Sequence, residues 1–243
     1  MSTVRAESCL TRNEWVCGEY VSSRSDELGD ALVEHVLITV GAVSLAVLVA
    51  FPLALLARRW RLAAGPILSL TTILYTVPSL AMYALLLPVF GISVSVVVCG
   101  LVLYSLTVLV RNMLTGLQSV PTEAREAALG LGYGRLRLLL AVELPLSLPA
   151  LMAGVRIATV SAVSLTTVGA IVGHGGLGNL IYSGMDSYFK AQVLTASVLC
   201  VLLAIASDLL LLGAQRLLTP WTRNRAPRRE LQRDAVLDVP GRA

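Results

Sequence analysis

Residues 126–145 read EAALGLGYGRLRLLLAVELP, and this stretch decides how the rest of the chain is arranged. It is the only long passage studded with polar residues between apolar runs that could each cross a bilayer. It combines a helix-forming Glu-Ala-Ala triplet at 126–128, a helix-ending glycine, Gly132, and a proline, Pro145. We therefore predict two short helices joined by a bend, with Pro145 ending the second before the next apolar run.

The composition of the whole chain is that of a membrane protein. Of its 243 residues, 56% are hydrophobic and only 14% are charged, whereas soluble domains are about a quarter charged. Helices that cross a bilayer need about 20 mostly apolar residues, because lipid offers no partners for backbone N–H and C=O groups. Several runs meet this requirement, so we predict an all-α, polytopic membrane protein.

Five apolar runs are separated by polar, glycine-containing or proline-containing segments. They cover residues 31–57, 65–87, 92–110, 149–172 and 191–213, and Pro78 interrupts the second. We therefore divide the chain into a polar head at 1–30, a membrane domain at 31–215 with a loop at 111–146, and a basic tail at 216–243, which we expect to be disordered.

The positions of arginine and lysine predict the orientation of the chain. With the N-terminus outside and the C-terminus inside, 14 of the 19 Lys and Arg residues lie in inside segments and 4 in outside segments. Cytoplasmic segments carry the excess of positive charge, so we predict this orientation and a cytoplasmic loop. Cys9 and Cys17 could then pair, because disulfides persist in oxidising extracytoplasmic compartments.

The first part of the loop is suited to docking into another protein. Pro121 fits the first turn of a helix, and Glu123 and Glu126 place negative charge at the positive end of its dipole. A small, alanine-faced helix can lie in a partner's groove. The alternative is an interfacial amphipathic helix that joins two spans, and alanines in place of Leu or Trp argue against membrane burial.

The spacing in this stretch resembles the cytoplasmic signature of permease subunits of bacterial ABC importers. That signature is Glu-Ala-Ala, three residues, Gly, nine residues, Ile, one residue, Leu-Pro, and Val142 stands here in the isoleucine place. Other stretches resemble the osmoprotectant branch, which imports glycine betaine, carnitine, choline and similar quaternary amines; they are YTVPSLA at 75–81, VRN at 110–112, VELPL at 142–146, AGVR at 153–156, GHGGLG at 173–178 and LIYSG at 180–184. The resemblance covers residues 31–215, and His174 departs from the small residue usual at its position.

The resemblance implies a MetI-like permease fold and a machine of several subunits in the bacterial inner membrane. Two permease subunits, identical or different, form the pathway, a dimer of ATPase subunits binds ATP and Mg²⁺ and docks on the loops, and an extracytoplasmic binding protein delivers the solute. The implied ATPase-coupling residues are Glu126, Ala127, Ala128, Gly132, Leu144 and Pro145, with Arg125 and Arg135 as flanking electrostatic contacts.

The implied cargo is glycine betaine, choline, carnitine or a proline-type compatible solute. Two alternatives stay open: a permease for methionine or another amino acid, and a non-transporting membrane scaffold that recruits an ATPase. For the solute path, Tyr75, Tyr83 and Tyr104 could offer a cation–π surface to a quaternary amine. Plain packing or an interfacial aromatic belt would place the same tyrosines equally well.

The residues themselves indicate no enzyme, and we predict no cofactor, metal site or nucleic-acid partner for this chain. A P-loop needs Lys followed by Ser or Thr, and the only lysine, Lys190, precedes Ala191. The GHGGLG stretch matches a dinucleotide fingerprint but lacks the strand before it and the acid about 20 residues later. We expect instead a flexible outer loop at the binding-protein contact or outer gate, formed by Gly173, His174, Gly175, Gly176 and Gly178.

Charged and titratable side chains in the spans need a separate interpretation. For Asp208 we expect structural pairing or hydration at the interface, with an ion or proton relay as the alternative. Arg156 could extend its side chain to the interface. His35 opens the first span, where we expect it to be solvated.

Overall fold

The long apolar runs form helices, as backbone hydrogen bonding in lipid requires. The computed structural model of the protein describes residues 8–222, and within that range the regular elements are helical, with no strand. The α-helices are α1 (Gly18–Ser23), α2 (Ser25–Arg59), α3 (Arg61–Thr76), α4 (Ser79–Phe90), α5 (Val94–Gln118), α6 (Thr122–Gly130), α7 (Arg135–Leu138), α8 (Leu144–Thr166), α9 (Leu177–Asp186) and α10 (Lys190–Leu218). A π-helical turn, Leu139–Glu143, joins α7 to α8, and a 3₁₀ turn, Thr167–Val172, follows α8.

By length and composition, four helical segments in the described part of the chain can cross a membrane. They are α2, α5, the segment Arg135–Val172 and α10. α3 and α4 bend by 101° at their break, and if this pair is one broken span the number is five. The prediction of about five spans, with the second interrupted at Pro78, agrees with this architecture.

The predicted stop at Pro145 is wrong. α8 begins at Leu144, so Pro145 lies in its first turn, and the helical segment runs on from Arg135. In an α-helix Pro145 would lack an N–H for the carbonyl of Ala141 and its ring would clash with that carbonyl. The π-turn just before it widens the helix locally and accommodates this defect. The predicted loop at 111–146 is therefore helical at both ends, and residues 119–134 separate α5 from α7.

The centre of the bundle is α5, which packs between α2 and α8. On α2 the contact is a stripe of alanines four residues apart, Ala42, Ala46, Ala50 and Ala54, each fully buried. Small side chains let membrane helices approach closely. On the α8 side, a Cβ added at Gly154 would lie 2.6 Å from Cβ of Asn112, so this crossing also requires a small residue.

The bundle has two dissimilar ends. We call the end formed by residues 8–24, the glycine-rich loop at 173–178 and the α9–α10 turn the head end. We call the opposite end, which carries α6, the loop end. The 35 residues of α2 connect the two over a length of about 50 Å at 1.5 Å per residue. Most of the predicted basic tail, residues 223–243, lies outside the described residues.

Candidate functional site

The helix α6 is built as its sequence predicts. Pro121 precedes it in an extended conformation, and Glu123 lies in its first turn. At its end Gly132 has φ +80°, a left-handed conformation that glycine adopts without a side-chain clash. The N–H of Gly132 donates to Leu129 O at 2.9 Å and that of Tyr133 to Ala128 O at 3.1 Å, which is the Schellman pattern of helix capping.

The predicted docking residues divide between two faces of α6. Glu126, Ala127 and Gly132 are exposed at the loop end, whereas Ala128 is buried against the bundle. Leu144 and Pro145 are partly buried at the start of α8. An interface would therefore use the first three residues directly, and Ala128 holds the helix in place.

Exposed leucines extend this surface beyond the residues predicted from the sequence. Leu129 is 53% exposed, Leu131 77% and Leu136 70%. Apolar side chains exposed together on a short helix and the segment that follows it are typical of a protein interface. Arg135 is exposed beside them, and the guanidinium of Arg137 lies over the Tyr133 ring, 4.2 Å from its centroid.

A buried carboxylate ties α6 to the bundle, and sequence reasoning missed it. Glu143, in the π-turn, is only 5% exposed. Nη1 of Arg58, in the last turn of α2, donates to its Oε2 at 2.7 Å, and Nη2 of Arg58 donates to Oε1. Nε of Arg125, on α6, lies 2.9 Å from the same Oε1. We call these three residues the Glu143 cluster.

One signal in the sequence could have found this cluster. Glu143 is the only acid between residues 127 and 185, and it lies in an apolar context where an unpaired charge is costly. Its partner Arg58 is 85 positions away, so no local pattern joins them. Arg125, predicted as a flanking contact to another protein, makes an intramolecular ion pair with 41% of its side chain exposed.

The comparisons with known proteins identify the family. The family described as "Binding-protein-dependent transport system inner membrane component" matches residues 40–224. The chain belongs to this family. It is a permease subunit of an ABC importer, an inner-membrane component and not an enzyme.

Within this permease family, the chain is similar to curated permeases of osmoprotectant importers. The chain is 35% identical over 204 residues to the glycine betaine/carnitine/choline transport system permease protein OpuCD of Bacillus subtilis, covering 84% of this chain and 89% of the relative. It is also 35% identical over 206 residues to the osmoprotectant import permease protein OsmW of Salmonella typhimurium, covering 83% and 96%.

Solved structures show the same permease fold. An inward-facing structure of the MetNI methionine ABC transporter matches with a TM-score of 0.72 at 20% identity, over 81% of this chain and 98% of that one. An amino acid ABC transporter with histidines matches with a TM-score of 0.67 at 17% identity, over 83% and 98%. The prediction of a MetI-like permease fold is confirmed.

The three tyrosines predicted for the solute path do not form one surface in this permease. Tyr83 is 1% exposed, donates to Leu165 O at 3.2 Å and lies against Gly100, where an added Cβ would be 2.5 Å from the ring. Tyr104 is buried and donates to Val77 O at the α3–α4 break. Tyr75 alone is exposed, in edge-to-face contact with Tyr104 at 6.0 Å. Tyr83 is thus a packing residue, and Tyr75 with Tyr104 stays a candidate.

The glycine-rich loop is packed against the bundle, which corrects the expectation of a flexible loop. Gly175, Gly176 and Gly178 are buried, while Gly173 is exposed and has φ +77°. Gly175 N donates to the side-chain oxygen of Asn179 at 3.0 Å, which closes the turn. A Cβ at Gly178 would lie 2.4 Å from the Thr167 carbonyl oxygen. The glycines therefore permit close packing of backbones.

His35 is fully buried against this loop, so the expectation that it is solvated is wrong. Its Nε2–H donates to Val163 O at 3.0 Å. The backbone of Gly176, at φ +53°, lies so close that an added Cβ would be 2.7 Å from the Cα of His35. His174 lies on the exposed side, with Nδ1 3.8 Å from a carboxylate oxygen of Glu34.

The head of the chain, which precedes the family match, is folded onto the same end. Cys9 and Cys17 form a disulfide, as the sequence suggested they could. Within the closed loop, Asn13 donates from Nδ2 to Tyr188 O at 2.8 Å and accepts at Oδ1 from Lys190 N at 3.0 Å. The head is therefore fastened to the α9–α10 turn.

Two charges inside the spans pair with each other. Arg156, on α8, donates from Nε and Nη2 to the two carboxylate oxygens of Asp208, on α10, both at 2.8 Å. The expectation of structural pairing for Asp208 is confirmed, and Arg156 is its partner. This bidentate pair joins α8 to α10, and the hydrogen bonds described for its two side chains run between them and not to α6.

Proposed function

We propose that this permease subunit forms half of the membrane pathway of an importer for quaternary-amine compatible solutes. Glycine betaine, carnitine and choline are the solutes that appear in the names of its relatives at 34–35% identity. The fold neighbours named for amino acids are at 17–20% identity and support the fold alone. The similarity to the osmoprotectant permeases therefore carries the choice of solute class.

Energy for import comes from a partner ATPase that binds ATP and Mg²⁺ and docks at the loop end. The observation that supports this site is the exposed face of α6 with Glu126, Ala127 and Leu129. A short helix that presents small and apolar side chains fits a groove in another protein. A second permease subunit and a solute-binding protein complete the machine.

The head end faces the extracytoplasmic side in this proposal. The Cys9–Cys17 disulfide supports that side, because disulfides persist in oxidising compartments. The excess of Lys and Arg in the segments of the loop end supports a cytoplasmic loop. Green fluorescent protein fused to the C-terminus should fluoresce and alkaline phosphatase fused there should be inactive; the reverse pattern would overturn the orientation.

Solute uptake tests the main proposal. A strain lacking its own osmoprotectant importers, given this permease with its ATPase and binding protein, should accumulate radiolabelled betaine, choline or carnitine. Methionine serves as the comparison solute, and a complex with Glu126→Ala/Gly132→Ala permease as the negative control. Uptake of methionine without any quaternary amine would favour the amino-acid permease, and co-purification of the ATPase without any uptake would favour the scaffold.

A further inference from the structure

Movement of the docked ATPase has to reach the spans, and α6 has few attachments through which it can do so. The main contacts of α6 are with the π-turn and α7. Along the helix only Ala128 is buried. The chain leaves α6 through a turn that contains Gly132, whose positive φ glycine adopts without strain. A contact of fixed direction between α6 and the bundle is therefore valuable.

The Glu143 cluster supplies such a contact. Arg125 Nε lies 2.9 Å from Glu143 Oε1, and both carboxylate oxygens of Glu143 also accept from Arg58. The planar guanidinium of Arg58 binds both oxygens and so fixes the orientation of the carboxylate, and Arg125 of α6 pairs with one oxygen of this fixed carboxylate. Three elements, α6, the π-turn and the last turn of α2, are thus joined at one carboxylate.

The local backbone around Glu143 adds to this interpretation. The π-turn Leu139–Glu143 directly precedes α8, whose second residue is Pro145, and π-turns inside α-helices are frequent at functional sites. An irregular turn places a side chain at a position that a regular helix would not offer. Glu143 therefore lies where both arginines can reach it.

From Arg58 the connection continues along α2 to the head end. α2 is helical from Ser25 to Arg59 and packs along α5 through its alanine stripe. Near its other end, His35 donates to Val163 O and lies in close contact with the backbone of Gly176 in the glycine-rich loop. A displacement of Arg58 along the helix axis would reach this loop.

We propose that Glu143 is a positioning residue for energy coupling. It holds α6 to α2 through Arg125 and Arg58, so that movement imposed on α6 by the ATPase is passed to the first span and to the glycine-rich loop. The inference rests on the proposed function, because it requires an ATPase that moves α6. It assigns the transmission of that movement to a carboxylate that touches neither ATP nor solute.

The pair Arg156–Asp208 provides a matched control. It is also a bidentate arginine–carboxylate pair between two helices, but neither residue contacts α6. Loss of one partner leaves an uncompensated charge in both cases, which destabilises the protein irrespective of coupling. A difference between the two sites in coupling therefore reports a role of Glu143 beyond stability.

The test uses the complete complex of permease, ATPase and binding protein in liposomes. With Glu143→Gln we expect the ATPase to co-purify as with the wild type, because the exposed face of α6 is unchanged. ATP is still hydrolysed, but the solute imported per ATP falls about tenfold, within the usual range of coupling between sites. The control Asp208→Asn should leave this ratio within about twofold. An unchanged ratio for Glu143→Gln, or its loss of ATPase binding, overturns the proposal.

A double-mutant cycle separates this role from direct contact with the ATPase. Arg125→Met should lower the ratio in the wild-type background and have no further effect in the Glu143→Gln background, because both remove the same link. An effect of Arg125→Met that persists in Glu143→Gln would mean that Arg125 acts on the ATPase directly, and would refute the proposal.

The test gives an interpretable result even if Glu143→Gln is not inserted or the imported solute is not a quaternary amine. If Glu143→Gln does not reach the membrane, Arg125→Met decides, since it leaves Glu143 paired with Arg58; an unchanged ratio then overturns the proposal. The ratio is measured with whichever solute the wild-type complex imports. Failure to import quaternary amines would therefore contradict the proposed cargo and leave the test of Glu143 intact.

Discussion

The head end and the loop end of this permease are held together by different kinds of interaction. At the head end a disulfide, buried glycines and the side chain of Asn13 fix backbone against backbone. At the loop end α6 has one buried alanine and one ion pair to Glu143, and exposes leucines. One end is thus packed internally, whereas the other exposes the side chains to which we propose that a partner binds.

Substitutions on the exposed side of α6 and the turn after it should have the largest effect on transport. Glu126→Ala/Gly132→Ala should abolish uptake, because it removes the charge at the exposed face of α6 and forces a side chain into a left-handed conformation at a cost of about 1–2 kcal/mol. Membrane abundance, measured by immunoblot, should stay at the wild-type level, because neither residue is buried in the bundle. ATPase that still co-purifies in normal amounts would rule out this assignment of the docking site.

The exposed leucines should have the next largest effect at the same end. Leu131→Ser should weaken ATPase binding about tenfold or more, since burial of a leucine is worth about 1.5–3 kcal/mol. Titration of detergent-solubilised permease with the purified ATPase measures this. Leu217→Ser is the matched control: Leu217 is 78% exposed like Leu131 but lies at the end of α10. Equal losses for both variants would show that the surface around α6 is not special.

At the head end the disulfide can be removed without touching the loop end. Cys9→Ser/Cys17→Ser should lower the free energy of unfolding by about 2–3 kcal/mol, as expected for a short closed loop. A thermal shift in detergent reports the loss, and the wild type with a reducing agent should show the same shift. ATPase binding should not change, because α6 is at the opposite end; a large change in it would mean that the two ends are not independent.

The smallest effect distinguishes packing from solute binding. Tyr83→Phe removes a hydrogen bond to Leu165 O, which costs about 1 kcal/mol of stability. The KM for uptake should stay at the wild-type value, since the ring is retained and buried. Tyr75→Ala, at the exposed tyrosine, is the comparison variant. A raised KM for Tyr83→Phe with an unchanged one for Tyr75→Ala would reverse the assignment made from their exposure.

The sequence predicts those structural features that depend on neighbouring residues in the chain. Apolar run length predicted the spans, and the glycine spacing predicted the cap at Gly132. The predicted stop at Pro145 is wrong because helices that span a membrane tolerate prolines; Pro52 likewise lies inside α2 and Pro149 inside α8.

Pairings between residues far apart in the chain could not be predicted from the sequence. Glu143 and Arg58, or Arg156 and Asp208, are 85 and 52 positions apart, and helix packing alone brings them together. The burial of His35 could not be predicted either. Its polar side chain at the start of a span indicates contact with water, but a loop more than 130 residues later in the chain covers the ring. Small glycines in that loop made the close approach possible.

The attachment of the head to the α9–α10 turn can form only late in synthesis of the chain. Cys9 and Cys17 are 8 positions apart and, in the proposed orientation, can join as soon as the head has crossed the membrane. Asn13 has to wait for Tyr188 and Lys190, which are synthesised 175 and 177 positions later. The head is therefore made well before its attachment site, and Asn13 can be secured only after the α9–α10 turn has been synthesised.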